Sequence, residues 1–127
     1  MFKYATELKP GNYAIIEVPC IVKSVDISKT GKHGSSKVRI EAIGIVDGKK
    51  RIVVLPGSER VAIPTIEKRK AQVLSVNKQE MKAELMDLET FENVEASVDE
   101  ELKDKIDEGK NVEYWKVENQ YIVKRLI

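Results

Sequence analysis

Residues 37–56 read KVRIEAIGIVDGKKRIVVLP, and this stretch decides the fold class. Val38 and Ile40 fall two apart, so an extended chain turns both to one face and Arg39 to the other. A more continuous apolar run follows to Val46. Asp47-Gly48 then supplies a hairpin turn, because glycine accepts the positive φ such turns demand. RIVVLP at 51–56 returns as a strand. The pattern is that of an antiparallel β-protein.

Working outward, the same grammar repeats. YAIIEV at 13–18 ends at Pro19, CIVKSVDI at 20–27 alternates partly, and RVAIP at 60–64 is a short strand closed by Pro64. Short strands packed this densely predict a small, strongly curved barrel. PTIEKRKA at 64–71 is polar in its middle and reads as a tight junction near Ile66–Lys70. Strand patterning resumes in AQVLSV at 71–76, EMKAELMDL at 80–88 and TFENVEASV at 90–98, with Leu88 out of phase as a bulge. Ser97 or Asp99 caps a short helix that carries Leu102 and Ile106 on one face and stops at Gly109. NVEYWKVE and YIVKRLI finish as a hairpin across Asn119-Gln120.

A helix after the third of five strands is the order of an OB-type barrel. The expectation is therefore an all-β chain of two small barrels, the second an OB-fold with one short helix. Residues 1–68 form the first domain and 69–127 the second. A single large sandwich is the alternative, and the helix and a charge reversal at the midpoint count against it.

That reversal is hidden in a formal net charge of +1. Residues 1–68 carry 12 Lys or Arg against 7 Asp or Glu, whereas residues 69–127 carry 10 against 14. A basic first domain argues for a polyanionic partner. No segment approaches the ~20 apolar residues of a membrane span, and the N-terminal residues lack a secretory signal, so a cytoplasmic location without membrane contact is expected. Cys20 is the single cysteine and reads as a small buried hydrophobe.

The positive charge peaks at SKTGKHGSSKVR, residues 28–39, which holds Lys29, Lys32, Lys37 and Arg39 and no acid. Gly31 and Gly34 clear the space around Lys32, with Thr30 before it and His33 beside it. The hairpin spends about ten residues where two to five would suffice. The phosphate-binding loop of nucleotide hydrolases needs Gly-Lys-Ser or Gly-Lys-Thr before a helix; here Gly-Lys-His precedes a strand. A basic loop for a nucleic-acid backbone survives, with Lys29, Lys37 and Arg39 as phosphate contacts. One histidine and one cysteine, a strand apart, make neither a metal cluster nor a nucleophile with its base. No catalytic residue, metal or cofactor is expected.

SKTGKHGSSKVRI at 28–40, with IGIVDGKKR, LKPGNYAII at 8–16, PTIEKRKAQVLSV at 64–76 and ELMDLETFENVE at 84–95, resembles the translation initiation factor 5A family, in particular its archaeal members. The resemblance implies an SH3-like N-terminal barrel and a C-terminal OB-fold. It implies binding to the ribosome beside peptidyl-tRNA, with contacts to tRNA and ribosomal RNA, and help with peptide-bond formation. It also implies that Lys32 is converted by deoxyhypusine synthase, using spermidine, to deoxyhypusine or hypusine, presented by Thr30, Gly31, His33 and Gly34. Ser35 stands where many eukaryotic members carry a second histidine, and Arg69 where an aromatic is frequent. A general RNA-binding protein with an unmodified Lys32 is the competing reading.

Overall fold

The computed structural model describes residues 1–29 and 36–127, and divides them into two compact units, Met1–Pro64 and Thr65–Ile127. In the first, β1 (Phe2–Tyr4) leads into a three-residue 3-10 turn, Ala5–Glu7. Strands β2 (Tyr13–Ile16), β3 (Val18–Lys29), β4 (Ser36–Gly44) and β5 (Lys50–Pro56) follow, then the short β6 (Arg60–Ala62).

The expected first barrel is not formed. Strands β2 to β5 make an open four-stranded antiparallel sheet in chain order, and β6 pairs with β1 in a separate two-stranded sheet. The SH3-like closed barrel is therefore corrected to four strands plus two. β5 ends on Pro56, which has no N–H to give a ladder. The chain then turns through Gly57–Glu59, and β6, three residues long, takes its partner from the N-terminal strand, an element the sequence reading did not include. The core beneath is made of small and branched residues: Ala14, Cys20, Val22, Val38, Ile40, Ala42 and Val61. Cys20 is fully buried, and burial pushes its thiol pKa up. The Asp47-Gly48 turn is present, with Gly48 at φ 68, but spans 45–49; Arg51 grips Asp47 through two hydrogen bonds of 2.8 and 3.1 Å.

The second unit does close. Strands β7 (Ile66–Asn77), β8 (Lys82–Asp87), β9 (Asn93–Val98), β10 (Asn111–Val117) and β11 (Gln120–Leu126) form a barrel in the order β7-β8-β9-β11-β10 and back to β7. Only β9 and β11 run parallel. The stretch 66–70, read as a junction, is the start of β7. The β7/β8 bulge lies between Val73 and Ser75, not at Leu88, which sits in the β8–β9 turn with its N–H on the Lys70 carbonyl at 3.0 Å.

The short helix is a second correction. Asp99 caps as expected, accepting the Glu101 N–H at 3.1 Å, yet only a three-residue 3-10 turn, Glu100–Leu102, follows. The Leu102 carbonyl accepts from both Lys105 and Ile106, and the chain must then reach Gly109, at φ 80, whose N–H bonds Val73. With only Leu102 and Ile106 apolar between the two strands, too little surface is buried to stabilise further helical turns. Ile106 still reaches the barrel core, where it is 1% exposed.

Candidate functional site: the stem of the lysine loop

Thr30, Gly31, Lys32, His33 and Gly34 lie outside the described residues. What the structure gives is the stem. Strands β3 and β4 pair without interruption from Val25↔Ile40 to Lys29↔Ser36. The strands thus run further into the basic segment than the sequence reading had them, leaving residues 30–35 between their ends. Along β3 the side chains of Asp26, Ile27, Ser28 and Lys29 are all exposed, so this arm has passed the end of the core. Opposite it, β4 stays backed by β5 as far as Lys37↔Pro56.

Three segments meet at the β4 end of the stem. The Gly57 N–H donates to the Ser36 carbonyl at 2.8 Å, and Thr6 donates from both its N–H and its hydroxyl to the Gly57 carbonyl at 3.4 Å. A Cβ on Gly57 would run into Ser36 Oγ and come within 2.7 Å of Thr6 Cγ2. Only glycine lets the β5–β6 turn approach the stem this closely. No sequence signal marks this contact, since Thr6, Ser36 and Gly57 are far apart in the chain.

The predicted backbone contacts do not share a face. Residues directly opposite in an antiparallel ladder point the same way, and successive residues alternate. Lys37 (opposite Ser28) and Arg39 (opposite Asp26) therefore point to one side, while Lys29 (opposite Ser36) shares the other with Val38 and Ile40, which build the core. Arg39 is also occupied. Its guanidinium lies 3.0 Å from Glu41 Oε1 and 4.0 Å from Asp26 Oδ2, and hydrogen bonding from Arg39, with Lys50 nearby, holds the Glu41 carboxyl below its ordinary pKa. The Arg39/Glu41 spacing was legible as a two-residue repeat; the Asp26 contact required the register. Lys29 and Lys37 are exposed and form no ion pair with a described residue. Among the described residues there is no grouping of His, Cys, Asp or Glu fit to hold a metal, and no helix long and apolar enough to cross a membrane.

The arrangement is a cationic β-ribbon on an open sheet. The family profile described as translation initiation factor 5A-like, N-terminal, matches residues 2–59. The translation initiation factor 5A of Pyrococcus furiosus is 47% identical, over 95% of this chain and 90% of its own length. The chain belongs to the translation initiation factor 5A family. The Thermococcus kodakarensis factor 5A is 43% identical over 95% of this chain and 91% of its own length. Among solved structures, factor 5A from Methanococcus jannaschii superposes with a TM-score of 0.86 at 36% identity, over 100% of this chain and 94% of that one. A factor 5A family protein from Naegleria fowleri gives 0.79 at 28% identity, over 99% and 96%. Membership in the factor 5A family makes the chain a translation factor of protein biosynthesis, not an enzyme.

Proposed function

We propose that the chain binds the ribosome beside peptidyl-tRNA and promotes peptide-bond formation through a deoxyhypusine or hypusine arm on Lys32, made from spermidine by deoxyhypusine synthase. The observation that supports this reading is the β3–β4 ladder running to Lys29↔Ser36 along an exposed β3 arm, with Lys32 among the six residues, 30–35, that join the two strands in the sequence. An aminobutyl arm on the Lys32 nitrogen would be longer than lysine and carry a second amine. Such an arm suits phosphate and ribose contacts that steady the acceptor end of a tRNA while ribosomal RNA performs the transfer. Lys29 and Lys37, from opposite faces of the ribbon, would anchor it against nucleic-acid backbone.

The test is at Lys32. Arginine keeps one charge but cannot accept the aminobutyl group, and its planar fork is no substitute for a slender arm. Intact-protein mass from the native source should exceed the sequence mass, with the increment on Lys32. Lys32→Arg should melt with the wild type yet lose stimulation of peptide-bond formation on stalled ribosomes. Full stimulation by the arginine variant would favour a general RNA-binding protein that needs no modification.

A further inference from the structure

The β8–β9 turn holds a residue that the barrel does not need in its present form. Phe91 is 69% exposed, at φ 60, and Leu88 in the same turn is also exposed. The left-handed region is costly for a bulky side chain, and an exposed benzyl group gains nothing from folding. The turn uses only the main chain of Phe91, whose N–H donates to the Asp87 carbonyl at 2.9 Å. Asparagine or glycine would make that bond with less strain.

The turn is also built to be stiff. Asp87 Oδ1 accepts the N–H groups of Glu89 at 2.8 Å and Thr90 at 3.0 Å, and the Asp87 N–H donates to the Glu92 carbonyl at 2.9 Å. Leu88 N–H is fixed to the Lys70 carbonyl of β7. Asp87 is itself 1% exposed and held by Arg69 and Tyr114 at 2.7 and 2.6 Å. A strained, exposed aromatic on a preorganised frame is the form of a binding anchor.

Charge selects the occupant. Glu89, 80% exposed, and Glu92, also exposed, flank Phe91, and Arg69 of the neighbouring β7 faces Asp87, Glu89 and Glu67. Such a rim repels phosphate backbones and favours Lys or Arg. We propose that the β8–β9 turn docks onto a protein partner, Phe91 with Leu88 entering an apolar pocket rimmed by cationic side chains; on the ribosomal reading above, the partner is a ribosomal protein and not ribosomal RNA.

The experiment uses the full chain with p-benzoylphenylalanine in place of Phe91, irradiated on intact ribosomes of the source organism, beside equilibrium binding of wild type, Phe91→Asn and Phe91→Tyr. The expected result is a cross-link to a ribosomal protein, binding weakened at least tenfold by Phe91→Asn without a fall in melting temperature, and rescue by Phe91→Tyr. A cross-link to RNA or to a second copy of the chain, or wild-type binding by Phe91→Asn, overturns the inference and leaves the Lys32 reading standing. Failure of the wild type to bind ribosomes overturns both.

Discussion

At Arg39 the guanidinium meets the Glu41 and Asp26 carboxylates, whereas Lys37, two residues along the same face, has no such counter-charge among the described residues. A phosphate contact by Arg39 must first loosen those pairs, so the two cations should differ in salt dependence. Lys37→Ala is expected to reduce the slope of log binding constant against log salt by about 0.9, the value for one released counterion, and Arg39→Ala by clearly less. Ribosome binding titrated at three salt concentrations checks this; equal slopes for the two variants would show that Arg39 gives up its carboxylates on binding. Gly57 offers a second test. Gly57→Ala should destabilise by about 1–2 kcal/mol through overpacking against Ser36 Oγ and Thr6 Cγ2, and Ser36→Ala, which removes the nearer of the two atoms, should restore part of it. Urea melts of the two single variants and the double measure the coupling.

At the scale of elements, the Arg69, Asp87 and Tyr114 network joins β7, the end of β8 and β10, with Arg69 and Tyr114 directly opposite in the ladder. Hydrogen bonding from Arg69, then from Tyr114 and two backbone amides, outweighs burial and holds the Asp87 carboxyl far below the ordinary carboxylate range. Burial, reinforced by Asp87, pushes the Tyr114 phenol well above its ordinary value. The signs are opposite. Asp87 contributes stability that is present above the unfolded carboxylate pKa of about 3.9 and lost as the pH falls below it. Tyr114 contributes stability present below the unfolded phenol pKa of about 10 and lost as the pH rises above it. Asp87→Asn should cost about 3 kcal/mol at pH 7, within the range for breaking a buried pair, with the gap to wild type narrowing below about pH 4. Urea unfolding at pH 7 and pH 3 tests the narrowing; an unchanged gap would mean Asp87 acts only by shape.

For the molecule as a whole, the two units differ in how they manage their edges. The second is a closed barrel in which every strand has two neighbours, while the first leaves β5 as an open edge with Ile52 and Val54 facing solvent at 51% and 55% exposure. Unpaired edges with exposed branched residues associate, and domains near 60 residues are marginal at best. Expressed separately, residues 65–127 should fold to a monomer with a cooperative thermal transition, and residues 1–64 should be less stable and prone to associate. Circular dichroism and sedimentation of the two fragments decide it.

The sequence by itself determined the β-class, most strand positions, the Asp47-Gly48 turn, the burial of Cys20 and the Asp99 cap, because alternation, turn chemistry and capping act over a few residues. Membership of the factor 5A family was also legible, since TGKHG and its flanks are a local pattern. Whether a barrel closes is not local. The first unit stays open because β6 finds β1 at the other end of the unit, and the helix shrinks to a 3-10 turn because the path from Val98 to Asn111 is set by contacts with Val73. The division of Lys29 from Lys37 and Arg39, and the counter-charge from Asp26, depend on a register that one residue of slip would reverse. Only tertiary structure decided those, because pairing between strands carries its information in both partners at once.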